Sequence, residues 1–248
     1  MKHVSQILLI LLCVQHGFSQ VSRSNSAGVL LPHLNFSFQW PGLDLADRFG
    51  SNNAVGVGID YMTSKNWIFG LEGTLTFGPN VNEDVISNLR DKDGQVLGND
   101  RYFAEVSLKQ RGYYASFFVG RLWPVNQRNK RSGIKTSLGA GFMQHNVRVQ
   151  DNTQTIPQVS STYISGYDRL CRGFQVNQFV GYQYLGNNRR VNFQIGFEFI
   201  QGFTKNIRAI NYNTKFNETK ARVDLLYGVV ASWYLPFYIG EKSEEIYY

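Results

Sequence analysis

Cysteine is almost missing from this sequence: Cys13 and Cys171 are the only two. Cys13 lies in an N-terminal apolar run, so a chain trimmed there keeps one thiol and has no internal disulfide. Histidine is also scarce, at four residues. The Cys/His sets that hold transition metals are therefore absent. After Val14 no apolar run approaches the roughly 20 residues that a transmembrane helix needs, which excludes helical membrane crossing. No glycine-rich turn and helix follow Gly56 and Gly58, so they make no nucleotide-binding fingerprint. Asp91-Lys92-Asp93-Gly94 opens like a calcium loop but lacks the closing acid, and reads as a solvated turn. Asn35-Phe36-Ser37 and Asn217-Glu218-Thr219 match a glycosylation triplet, a short pattern that carries little weight by itself. No repeat, linker or second domain stands out.

The first residues set the compartment. Met1-Lys2-His3 is a short, basic start, Ile7–Val14 is a short apolar run, and Gly17 and Ser19 suit a cut before Gln20. This is the layout of a cleavable secretory signal over residues 1–19. Bulky Leu12 before Cys13 disfavours a lipid-modified cysteine. The formal charge of +7 becomes +6 when Lys2 leaves with the leader. Residues 20–240 are expected to form one domain, with 241–248 a short periplasmic tail.

Aromatics reach 15% of the sequence, with 14 Tyr and 18 Phe, while the mean hydropathy is −0.27. Apolar residues recur with period two, the mark of strands with one apolar face. Val55, Val57, Ile59 and Tyr61 share one face, as do Trp67, Phe69, Leu71, Leu75 and Phe77. So do Val191, Phe193, Ile195, Phe197 and Phe199. Val223, Leu225, Tyr227, Val229, Ala231, Trp233, Leu235 and Phe237 form the longest such face. Leu34–Trp40, Ala104–Leu122, Ile134–Val149 and Gly173–Leu185 complete eight strands, with a bulge expected near Gly112-Tyr113-Tyr114. Three short polar connections (63–66, 126–133, 187–190) alternate with four long ones (41–53, 78–102, 150–172, 206–221). The reading is an all-β, antiparallel, up-and-down transmembrane barrel of eight strands, with short periplasmic turns and long outer loops. Asp44–Phe49 is expected to form one helical turn within the first long loop. A soluble lipocalin-like barrel is the structural rival, disfavoured by strand length and by Gly, Ser, Thr, Asn, Gln and Glu on the inward faces.

The stretches Pro41-Gly42-Leu43-Asp44-Leu45-Ala46-Asp47-Arg48-Phe49-Gly50, Asn66-Trp67-Ile68-Phe69-Gly70-Leu71-Glu72-Gly73 and Asp224-Leu225-Leu226-Tyr227-Gly228 resemble a group of uncharacterised outer-membrane barrels of Bacteroidota. In architecture the chain is more distantly similar to OmpA/OmpX-type barrels. The resemblance covers nearly the whole chain after the leader and implies outer-membrane location without implying an activity. In that group a glycine is expected where Leu43 stands.

Eight strands leave a bore that side chains fill, and charges confined there must pair. Asp60, Glu72, Glu198 and Asp224 are expected to face inward, with Lys109, Arg111 and Lys135 as basic partners in an interior network. A proton or ion path is the sharper alternative for these residues. The periplasmic turns collect Lys65, Arg128, Lys130, Arg131, Arg189 and Arg190. They suit inner-leaflet phosphates, anionic polymers or an acidic partner, or plain solvation. For catalysis the chain after the leader offers His33, at the first strand's periplasmic start, and His145, inward near the outer rim with Ser137 and Gly141 on its face. No nucleophile motif surrounds either, so an enzyme is not expected, and neither is a cofactor or metal. The expected partners are outer-membrane lipid and other envelope proteins, not nucleic acid. The function classes are a structural or accessory barrel in an envelope or secretion assembly, a narrow transport pore, and a lipid-modifying enzyme. Cys171 is expected to be a small residue under a loop.

Overall fold

A computed structural model describes residues 28–126, 129–160, 163–186, 190–216, 218 and 220–239. The expected leader (1–19), the tail (241–248), Arg128 and Arg189 lie outside the described residues. Eight long strands make the wall: β1 Gly28–Leu43, β2 Asn52–Met62, β3 Trp67–Gly78, β4 Val106–Asn126, β5 Asn129–Asp151, β6 Cys171–Leu185, β7 Asn192–Asn206 and β8 Ala221–Tyr234. Each pairs antiparallel with its sequence neighbour, and β8 pairs back onto β1 from His33↔Tyr234 to Leu43↔Asp224. The ring is closed.

The register also fixes the strand tilt. One row of partners runs His33–Gly58–Glu72–Ser116–Gly141–Gln175–Gly202–Asp224 and returns to β1 at Leu43. The row comes back ten residues further on (43 − 33). Ten steps of about 3.3 Å against eight spacings of about 4.8 Å tilt the strands by about 41°. On β7 the outward side chains from Phe193 to Phe203 then span about 25 Å along the barrel axis, the height of a membrane barrel's apolar band.

The alternation comes out as two chemically distinct surfaces. Leu34, Phe36, Val57, Ile59, Leu71, Phe117, Leu138, Phe174, Ile195, Phe197 and Val223 are exposed on the outside. Tyr61, Trp67, Trp123 and Tyr182 lie toward the turn end of this belt, while Trp40 and Tyr227 stack at 6.1 Å toward the loop end. Inside, Asn35, Ser37, Gln39, Thr74, Thr76, Ser116, Gln175, Gln183 and Gln194 are buried. A water-soluble barrel has the opposite arrangement.

Three details depart from the sequence reading. The register through Gly112-Tyr113-Tyr114 is regular on both sides, and the shift in the β4–β5 pairing falls at Pro124/Asn126 instead. That hairpin is also tighter than expected, since its strands run to Asn126 and from Asn129. The last strand stops at Tyr234, because Pro236 has no N–H to continue the ladder; Phe237–Ile239 resumes pairing with Gly28–Leu30.

Candidate functional site

The lumen is built in three tiers. At the turn end Val29, Leu31, Met62, Ile68, Leu122, Leu185 and Tyr234 form a buried apolar stopper, with Phe118 on its inner side. Above it Lys135 of β5 donates to Asp60 Oδ2 of β2 at 2.8 Å and to Tyr234 Oη at 3.1 Å. Its ammonium also lies 5.2 Å from the Phe118 ring, 5.8 Å from Phe179 and 5.6 Å from Tyr234. Asp60 and Lys135 are 0% and 2% exposed. Tyr234 passes the chain on, donating to Gln194 Oε1 at 2.7 Å. His33 sits beside Asp60 and Glu72, at 3.7 and 4.0 Å. Glycines make room for this crowding. A Cβ at Gly58 would come within 2.4 Å of His33 Nε2, and one at Gly70 within 2.3 Å of Phe118 Cζ.

Higher in the bore, Glu72 accepts from Thr74 at 3.0 Å, and Glu198 accepts from Gln39 Nε2 at 2.8 Å. Gln39 Nε2 also reaches Tyr114 Oη at 3.0 Å. Among the described residues no Lys or Arg lies within 4 Å of Glu72 or Glu198. Lys135 is thus the cation beside Asp60, whereas Glu198 is held by an amide and Glu72 by a hydroxyl beside His33.

The third tier joins strands to loops. His145 Nε2 lies 2.8 Å from Asp224 Oδ2, which also accepts from the Thr204 hydroxyl. The Phe49 ring packs edge-on to His145 at 5.6 Å. The helical turn α1, Asp44–Arg48, hangs Leu45 and Phe49 inward over the bore. Val85, Ile86, Val96, Ile156 and Tyr167 from the next two loops join them over Met143, Val147, Ile200 and Leu226. Space beside His145 amounts to about 10 Å³, about the room one water needs.

Ion pairs knit the four loops over this cap. Arg48 Nε donates to Glu83 Oε2 at 2.6 Å, and Arg169 Nε to Glu83 Oε1 at 2.7 Å. Arg48 also reaches the Arg169 carbonyl at 3.3 Å, the Cys171 thiol at 3.2 Å and Glu218 at 3.5 Å. Arg169 donates to Asn213, and Arg208 pairs with Asp168. Burial pushes the Glu83 carboxyl up, but the Arg48 and Arg169 guanidiniums outweigh it and hold it below the usual carboxylate range.

The sequence-chosen residues therefore separate. Asp60, Glu72, Lys135, Glu198 and Asp224 face the lumen. Lys109 and Arg111 do not: inward residues on β4 are Gln110, Tyr114, Ser116 and Phe118, which puts both cations on the outer wall with Tyr113. Lys109 Nζ donates there to Gln150. At the turn end Lys65, Lys130 and Arg190 are exposed. Arg131 is not a solvated turn residue, since it is buried and donates to the Thr63 carbonyl at 2.8 Å. His33, expected at the strand's periplasmic start, lies just above the turn-end stopper, beside Asp60 and Glu72. His145 faces inward on the same face as Ser137 and Gly141, and its hydrogen-bond partner is Asp224. In the Asp91 turn, Asp91 Oδ1 accepts from the Asp93 and Gln95 amides, and Gly94 has φ +80°. The cap cluster of Arg48, Glu83, Asp168, Arg169 and Arg208 was missed as a site. Its available signal was the apolar content of supposedly solvated loops, at Leu45, Phe49, Val85 and Ile86.

Fold and lumen together define a class: a closed eight-stranded antiparallel barrel of the transmembrane type, with a polar bore stoppered at both ends. No protein-family profile and no curated protein sequence matches the chain. Among solved structures it is similar to Ail, the attachment invasion locus protein of Yersinia pestis, at 9% identity and a TM-score of 0.41, over 84% of this chain and 99% of Ail. It is also similar to the N-terminal barrel domain of Pseudomonas aeruginosa OprF (9%, 0.36, 84% and 98%) and to the P. aeruginosa outer-membrane protein OprG (12%, 0.37, 84% and 96%). The fold assignment itself stands on the closed strand register.

Proposed function

We propose that this chain is an exported, integral outer-membrane barrel of a Bacteroidota-type envelope, with its loops outward and its lumen closed. It serves as a structural or accessory subunit that displays a rigid loop cap to other envelope proteins. The observation that carries the reading is the double stopper: Leu31, Met62, Ile68 and Leu122 fill one end, and Leu45, Phe49, Val85 and Ile86 the other. The His145–Asp224 pair is buried beneath the cap, with space beside His145 for about one water. The reading is therefore non-enzymatic.

A narrow pore is the second reading. The side-chain amides of Gln175 and Gln183 on β6 are buried without a protein partner in the described structure, and buried amides of this kind call for water. Two experiments test the proposal. Refolded protein in liposomes should leave them impermeable to small sugars in a swelling assay. Affinity capture of full-length protein from solubilised outer membrane should retain stoichiometric envelope partners. Sugar-dependent swelling would favour the pore, and recovery of the chain alone would remove the subunit role.

A further inference from the structure

The outer wall carries a charge arrangement that a lipid belt and a lumen do not explain. Arg172 of β6 lies directly opposite Lys205 of β7, and Lys109 of β4 directly opposite Arg148 of β5. Like charges at directly opposed positions, about 5 Å apart at Cβ, weaken a sheet. Arg111, two residues from Lys109, is on the same outward face.

The register makes these five cations level. Each step from one strand to the next carries a paired row about 1.25 residues toward the loop end, being ten residues over eight strands. Tyr113, Gln144, Arg172 and Lys205 belong to one such row. Arg172 therefore rises to within about half a residue of Arg111, and Lys205 to within about a quarter of a residue of Lys109. All five fall in a band about 8 Å high. It crosses four neighbouring strands above the outward row Phe142–Phe174–Phe203.

Those four strands hold two acids, and neither serves the band. Glu198 points into the lumen. Asp151 accepts from Thr153, Gln154 and Ile156 of the following turn. Among the described residues no carboxylate lies within 4 Å of any of the five cations. The band is thus an uncompensated cationic strip where the apolar belt ends at the loop side.

We infer that this strip binds the phosphates of a phosphorylated outer-leaflet glycolipid of the lipid A type, with its acyl chains lying against Phe142, Phe174 and Phe203. Polyvalent anion between the opposed pairs turns their repulsion into attraction, and the aromatic row directly below fits an anion that carries chains. A soluble polyanion would have no use for that row. The inference rests on the outer-membrane reading with loops outward.

The test titrates diphosphoryl lipid A into the refolded full-length chain in nonionic detergent. Parallel arms use dephosphorylated lipid A and soluble tripolyphosphate. Neutralising one opposed pair, as in Arg172→Gln/Lys205→Gln or Lys109→Gln/Arg148→Gln, should weaken lipid A binding about thirtyfold. Lys92→Gln, at an exposed position of the second loop, should leave it unchanged. Dephosphorylated lipid A should bind the native chain no better than the paired variants bind lipid A. Without lipid the paired variants should melt higher than the native chain, because the repulsion is gone, so a folding defect cannot imitate the result. Equal binding by variants and native chain would overturn the inference, as would displacement of lipid A by an equal concentration of tripolyphosphate. A chain that inserts into phosphatidylcholine vesicles yet ignores lipid A defeats this inference alone. One that fails to insert defeats the membrane reading beneath it.

Discussion

Asp60→Asn perturbs the lumen at its most enclosed charge pair. The substitution preserves shape, removes the charge 2.8 Å from Lys135, and leaves the ammonium with Tyr234 Oη and three rings. Both side chains are almost wholly out of solvent. At an effective dielectric of about 20, charges about 2.8 Å apart attract by about 6 kcal/mol. Part of that is offset by relief of Asp60's own desolvation, and breaking such a pair from one side costs about 3–5 kcal/mol. Asp60→Asn should therefore destabilise the barrel by about 3 kcal/mol or more. Adding Lys135→Met removes the stranded cation and leaves an apolar stem among Phe118, Phe179 and Tyr234, so the double variant should recover most of the loss. The assay is urea unfolding and refolding in lipid vesicles, followed by tryptophan fluorescence as a double-mutant cycle. A single-variant cost below about 1 kcal/mol, or additive effects, would refute the pairing argument.

Four further outcomes follow from the same geometry. Phe197→Arg, at a position 57% exposed near the middle of the belt, should cost about 2–4 kcal/mol, and Gln194→Arg on the inner face should cost less in the same refolding assay; equal tolerance would sink the facing of β7. Glu198→Gln should change stability by less than about 1 kcal/mol, because Gln39 and not a cation holds that carboxyl. Leu43 has φ +53° and is exposed, so Leu43→Gly should raise stability by about 1 kcal/mol in urea titration. Glu83 is held below its usual range, so its contribution to the cap is complete above the ordinary carboxylate value and is lost as pH falls through the lowered one. Protease cleavage within 79–105 should accelerate over that acid window, and Glu83→Gln should be cut quickly at neutral pH as well.

What the sequence made legible was whatever repeats with period two. Phe193, Ile195, Phe197 and Phe199 alternate with Asn192, Gln194, Gly196 and Glu198, so the facing of β7 follows without a structure. β4 was harder, because Lys109 and Arg111 stand among Gln, Gly and Tyr, where polarity does not separate the faces. Counting back from Phe117 and Val119 gives their outward parity. The glycine expected at Leu43 has its reason in the positive φ there. Arg131 looked like turn decoration, but its burial depends on the Thr63 carbonyl 68 residues away in sequence. The cap was least legible. Arg48 and Arg169 meet across 121 residues, and ion pairs between separate loops leave no local pattern. The lumen lay in between: inward carboxylates could be counted from alternation, but which received a cation depended on the shear of the whole ring.

Planar-bilayer recording of the refolded full-length chain reads out whether both ends of the bore are shut. With both stoppers in place the native protein should show no steady conductance, and Glu72→Gln should leave that silence unchanged. A stable ohmic channel in the native protein, with ion selectivity altered by Glu72→Gln, would contradict the account.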